Sequence, residues 1–148
     1  MKIKRIEHVG IVVRDVEASR KLWEGCFGIK LGGTEDNATR RLALYPVGDS
    51  MVELIAGLTP DSKQAKLSAE GKGGLNHVCL EVENIDEALA ELKIALSLAP
   101  GSPDILQGLG MSALAVGDLE TANFAAAKLR FSDPEAWQEL QMMMAPRR

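Results

Sequence analysis

Two cysteines, two histidines and no long apolar run occur in 148 residues. Cys26 and Cys79 follow no metal or disulfide spacing, which points away from a disulfide framework. Cys79, in the middle of an apolar stretch, reads as a small buried thiol. No segment is long and apolar enough to span a bilayer, and MKIKRIEHVG lacks the apolar stretch of a signal peptide. The expected location is therefore the cytosol. Basic charge is not in surplus: 17 Lys and Arg against 21 Asp and Glu leave a net charge of −4. That balance speaks against a nucleic-acid binder, and Arg40-Arg41 and Arg147-Arg148 are isolated pairs. Gly71-Lys72-Gly73-Gly74 lacks the spacing and the Ser/Thr of a phosphate loop and reads as a flexible linker. With 46% hydrophobic and 26% charged residues, the chain is an ordinary globular sequence of one domain or two small units.

What is present is a repeat. IEHVGIVVRDVEASRKLW, residues 6–23, aligns at constant offset with LNHVCLEVENIDEALAEL, residues 75–92. His8 meets His77, Val9 meets Val78, Val13 meets Val82, and Asp15 meets Asn84. Each copy reads as an apolar strand with a histidine near its start, then a helix opened by a capping residue. Between them, Ile29–Leu31 reads as a short strand, Thr34–Thr39 as a loop, and Arg41–Pro46 and Ser50–Ile55 as strands joined by a turn at Val47-Gly48-Asp49. Residues 1–56 are thus expected to form a βαβββ module. Residues 57–74 are expected to form a linker, with a short helix from Asp61 or Ser62 to Ala69. Residues 75–93 are expected to form a partial second βα module.

The residues with chemical potential are His8, His77 and Glu53. Met51, Glu53 and Ile55 share one side of a strand, and a glutamate on an apolar face is costly unless something neutralises it. Two imidazoles and a carboxylate suit a divalent transition metal. The spacing alone equally allows two ordinary strand histidines and a solvated glutamate.

The stretches IEHVGIVVRDVEASRKLWEGCFGIKLGGTE, LYPVGDSMVELIAG and GGLNHVCLEVENIDEALAELK, in that order, resemble the vicinal oxygen chelate superfamily. Within it the likeness is to methylmalonyl-CoA epimerases, over residues 3–93. The resemblance implies a cup-shaped sheet of paired βαβββ modules holding a divalent metal, with Co, Mn, Zn, Ni and Mg not distinguished. It implies His8, Glu53 and His77 as metal ligands, and an acyl-CoA substrate that exchanges a proton at the carbon α to a thioester. Of the family's two proton-transfer bases, the one in the acidic loop before the third strand is matched most nearly by Asp36. The other, which is also the fourth ligand, is a glutamate on an eighth strand, and the sixth to eighth strands are absent from this sequence. Racemisation needs a base on each face of the reacting carbon. Impaired epimerisation is therefore expected unless Glu120, Glu135 or Glu139 substitutes.

From Ile94 onward alanine becomes frequent, and Pro100-Gly101, Ser102-Pro103, Gly117-Asp118 and Asp133-Pro134 punctuate helices. Residues 94–140 resemble tetratricopeptide repeat sequence: Leu109-Gly110, Gly117-Asp118, Ala122 and Asp133-Pro134 fall at its spacings, and Ala99-Pro100 lies one repeat length before Asp133-Pro134. The fold class is α+β: one complete module and one partial module, then an all-α hairpin tail at 94–148 that shares a helix at 84–98. The join reads as a fusion, a chimera of two families. Three functional readings follow. One is a metal-dependent epimerase-like protein with an incomplete site. Another is a non-catalytic scaffold or interaction protein. The third is a different metal reaction, such as a non-haem iron site. A homodimer is compatible with each.

Overall fold

The computed structural model describes residues 1–145, so the terminal Arg147-Arg148 pair lies outside the described residues. The chain divides into two compact units, one of Lys4–Glu81 and one of Met1–Ile3 with the chain from Val82 onward. The sheet unit is built from β1 (Ile3–Val12), α1 (Val16–Arg20), β2 (Gly33–Asp36), β3 (Arg40–Val47), β4 (Ser50–Gly57), α2 (Lys63–Ala69) and β5 (Gly74–Val82). Its strand order is β2-β3-β4-β1-β5. β2, β3 and β4 form an antiparallel meander. β1 runs parallel to β4, with His8 beside Met51 and Gly10 beside Glu53. Contacts between β1 and β5 step in opposite directions, from Lys4 with Glu81 to His8 with His77, so β5 is antiparallel to β1.

Asp15 opens α1 by accepting hydrogen bonds from the Glu17 and Ala18 amides. The helix then widens into a π-helical segment, Lys21–Cys26, in which the Phe27 amide reaches back to the Leu22 carbonyl. The wider winding leaves Leu22 exposed while Trp23 packs inward. One face of the sheet buries Val16, Ala43, Tyr45, Leu54 and Ala56 in a core, with Ile11, Val13, Ile29 and Leu31 packed around it. The opposite face carries His8, Gly10, Val12, Glu53 and Ile55 by alternation. α2 closes the Gly57 end of that second face, since a side chain at Gly57 would meet Ser62 Oγ and Ala65.

One strand assignment is corrected. Ile29–Leu31 is not a strand, and the polar stretch expected as a loop supplies β2 instead. Ile29 and Leu31 are apolar because they fill the core from an irregular segment. Gly33–Asp36 is polar because it forms an exposed edge strand, held by its ladder to β3 and by the Asp36–Arg41 ion pair.

The helical unit contains α3 (Ile85–Leu98), α4 (Pro103–Val116), α5 (Leu119–Ser132) and α6 (Pro134–Met144). Asn84, Ser102, Asp118 and Asp133 cap their starts through side-chain oxygens. Gly117 ends α4 in the left-handed region, at φ 78°, where a side chain would be strained. The connections are short and each helix packs on the one before it. Leu106, Ala125, Ala126, Leu129, Ala136 and Leu140 form one apolar cluster, and Leu89, Leu109, Ala113 and Ala122 form another. The whole of α3 belongs to this unit, with the division falling between Glu81 and Val82. Among the described residues no helix is long and apolar enough to cross a membrane.

Candidate metal centre

β4, β1 and β5 lie side by side, and each presents one donor on the same face: Glu53, His8 and His77. His8 Nε2 is 2.9 Å from His77 Nε2. Glu53 Oε2 is 3.8 Å from His8 Nε2 and 3.9 Å from His77 Nε2. Donors that share a divalent ion at ordinary bond lengths stand about 3.0–3.4 Å apart, so small rotations bring this triangle to that geometry. These three residues could hold a metal ion.

The outer nitrogen of each ring is held. His8 Nδ1 contacts the Glu7 carboxylate, and His77 Nδ1 lies 2.9 Å from Asn76 Oδ1. A carboxylate only accepts, so the neutral His8 ring carries its proton on Nδ1, and the Asn76 oxygen places the His77 proton likewise. Both Nε2 lone pairs then face each other, with a carboxylate alongside. Two ring nitrogens this close, with a carboxylate alongside, can share a hydrogen-bonding proton or hold a metal ion. Outer-nitrogen hydrogen bonds of this kind fix the tautomer and orientation of metal-bound histidines. Burial above all, then the positive charge of His8 when it is protonated and that of Arg40, holds His77 below the ordinary histidine range and so favours the neutral, metal-ligating form.

Gly10 makes room for this arrangement, because any side chain there would collide with the His77 ring. Arg40 joins the same face: it pairs with Gly57 in the register that sets Leu44 beside Glu53, and its charge reaches His77. Cys79 follows His77 on the same side of β5, half-buried, and burial, with Glu7 and Glu53 nearby, pushes its thiol up.

His8, Glu53 and His77 are therefore brought together, and Asp36 is not brought to them. Gly33, Leu44 and Glu53 share one level across β2, β3 and β4. Asp36 is two strands over and three residues along, about 14 Å away between Cα atoms by ordinary strand spacings. Its carboxylate is paired with Arg41, 2.9 Å from Nε and 2.7 Å from Nη2, and that pairing holds it below the usual carboxylate range.

Gly10, Glu7, Asn76 and Arg40 were not singled out by sequence reasoning. A signal for two of them existed, since the repeat sets Glu7 over Asn76 and puts an acceptor directly before each histidine.

The chain is 33% identical over 92 residues to mitochondrial methylmalonyl-CoA epimerase of Bos taurus, covering 60% of this chain and 53% of that protein. It is 32% identical over 108 residues to ethylmalonyl-CoA/methylmalonyl-CoA epimerase of Cereibacter sphaeroides, covering 70% and 81% respectively. The chain thus spans about half the length of the bovine relative and most of the bacterial one. A solved structure with the same fold is a Streptomyces coelicolor methylmalonyl-CoA epimerase variant in complex with 2-nitronate-propionyl-CoA. It has a TM-score of 0.55 and 24% identity, and the match covers 64% of this chain and 71% of that one. The family profile for the glyoxalase/bleomycin resistance protein/dioxygenase superfamily matches residues 7–113, running past Lys93 into α4, and it is to this superfamily that the chain belongs.

Proposed function

We propose that the chain binds one divalent metal ion through His8 Nε2, Glu53 Oε2 and His77 Nε2, and acts on the carbon α to the thioester of an acyl-CoA, a reading supported by its likeness to proteins named methylmalonyl-CoA epimerase. The observation that carries this reading is the facing pair of Nε2 atoms, 2.9 Å apart beside a carboxylate, with both outer nitrogens held. A divalent ion there supplies Lewis-acid stabilisation of the charge that develops when a proton leaves such a carbon. Three protein donors leave open coordination positions for substrate. Glu53 offsets the ion's charge, Glu7 and Asn76 keep the rings aimed, and α2 walls one end of the face. Asp36, the base that the family pattern assigns, stands apart from the three donors in its pair with Arg41, and among the described residues no strand follows β5. At most one base is then at hand, so the site is read as one that exchanges a proton more readily than it inverts the centre.

The test has two arms. Purified protein should take up close to one cobalt or manganese ion per chain, and His8→Ala should abolish uptake. In heavy water, methylmalonyl-CoA should gain deuterium at the α-carbon without matching inversion. No uptake by the parent chain sinks the metal reading, while efficient inversion sinks the single-base reading.

A scaffold role for the helical unit is the second reading. The helix breaks at Ala99-Pro100 and Asp133-Pro134 recur at one tetratricopeptide repeat length, which favours repeat-like packing of α3 to α6. β5 lies at the sheet edge with Leu75, Val78 and Leu80 exposed, which favours a homodimer through that edge. Sedimentation as a monomer at all concentrations would remove the dimer.

A further inference from the structure

We propose that Glu7, His8 and Cys79 form a second metal site, selective for a thiophilic ion such as Zn2+ or Cd2+, which shares His8 with the first site and excludes an ion from it. The carboxylate, imidazole and thiol donor atoms all lie within 4.8 Å of one another. Donors around a tetrahedral zinc-type ion stand roughly 3.3–3.7 Å apart, so modest side-chain rotation of Glu7 and Cys79 closes the set. All three residues are partly exposed, which leaves an entry path for an ion. The donor types differ from those of the first site in the way that selects metals. A thiolate favours soft ions, whereas two imidazoles and a carboxylate serve harder divalent ions as well.

The exclusion follows from His8 itself. A neutral imidazole has one lone pair. With the proton on Nδ1, held by Glu7, Nε2 is free for the first site. An ion bound at Nδ1 instead requires the proton to move to Nε2, where His77 Nε2 is in place at 2.9 Å to accept it as a hydrogen bond. The thiol proton of Cys79 leaves to solvent as the sulfur–metal bond forms, so soft-ion binding releases a proton without any change of oxidation state. His8 thus serves one site or the other.

The experiment uses the full chain with Cys26→Ser, which removes the exposed second thiol, and titrates it with Cd2+ while following thiolate-to-cadmium absorption in the near ultraviolet. The expected result is one cadmium per chain with that absorption. It should vanish in Cys79→Ser, weaken tenfold or more in Glu7→Gln, and persist in Glu53→Gln and His77→Ala. Cadmium-loaded protein should then fail to take up Mn2+, while Cys79→Ser treated in the same way should still take it up. Three results would overturn the proposal: no absorption, absorption that survives Cys79→Ser, or absorption that disappears in Glu53→Gln. Failure of the cadmium-free chain to bind Mn2+ counts against the first site alone, because the cadmium absorption and its residue dependence decide the second.

Discussion

Gly10 lies against the imidazole of His77, so close that a methyl group at position 10 would stand 2.3 Å from Cε1 and 2.5 Å from Nδ1. Those distances are well inside van der Waals contact, and the ring would have to leave its place. Gly10→Ala is therefore expected to keep the fold and lower cobalt affinity by about tenfold or more, as displaced metal ligands do. Cobalt titration followed by visible absorption measures this. Unchanged affinity would show that His77 does not bind the ion in the orientation described.

Glu7 and Asn76 act on the rings without touching the ion of the first site. Glu7→Ala and Asn76→Ala should each reduce cobalt or manganese affinity by about 10–100-fold, the usual scale for such supporting groups. Isothermal titration would detect it. An effect as complete as that of His8→Ala would make either residue a direct ligand instead.

Asp36 and Arg41 join β2 to β3 at the sheet edge. Because Arg41 holds the Asp36 carboxylate below its ordinary value, the pair contributes stability above the unfolded pKa and loses it only as pH falls through the lowered folded value. Carboxyl NMR should show Asp36 titrating below the ordinary aspartate range, and Arg41→Ala should move it back toward that range. Asp36→Asn should leave cobalt affinity within about twofold, since β3 separates β2 from β4.

Gly110 in α4 packs where a Cβ would come within 2.5 Å of Leu140 Cδ2 and 3.3 Å of Ala125 Cβ. Alanine gains up to about 1 kcal/mol of helix propensity over glycine. Leu140 is only 1% exposed and has nowhere to go. Overpacking of this kind costs about 1–3 kcal/mol, so Gly110→Ala should be net destabilising and visible as a lowered Tm. A rise in Tm would mean that α6 yields easily to α4.

Much of this was legible in the chain because capping and punctuation are local. Asp15, Ser62, Asn84, Ser102, Asp118, Asp133 and Gly117 mark helix ends in sequence and in structure alike. The face shared by His8, Glu53 and His77 was readable from strand alternation and from the repeat. β2 was not readable, because Thr34, Glu35 and Asp36 are polar and owe their strand to pairing with β3 rather than to a buried face. The role of Gly10 was hidden for a similar reason, since it depends on a ring from β5 that is distant in sequence. The π-helical widening after Arg20 has no evident signal in LWEGC.

The three donors of the first site sit at positions 8, 53 and 77, on three neighbouring strands. No local segment brings any two of them together, so the site belongs to the long-range part of the contact map, which forms slowly and only with the sheet. An ion held there binds the folded state and not the unfolded chain. At a hundred times its Kd it would stabilise the sheet unit by about 2.7 kcal/mol, and its removal would loosen the closure of β1 between β4 and β5. The ion would then be a thermodynamic clamp on the topology as well as a participant in chemistry, and metal starvation would lower the Tm along with turnover.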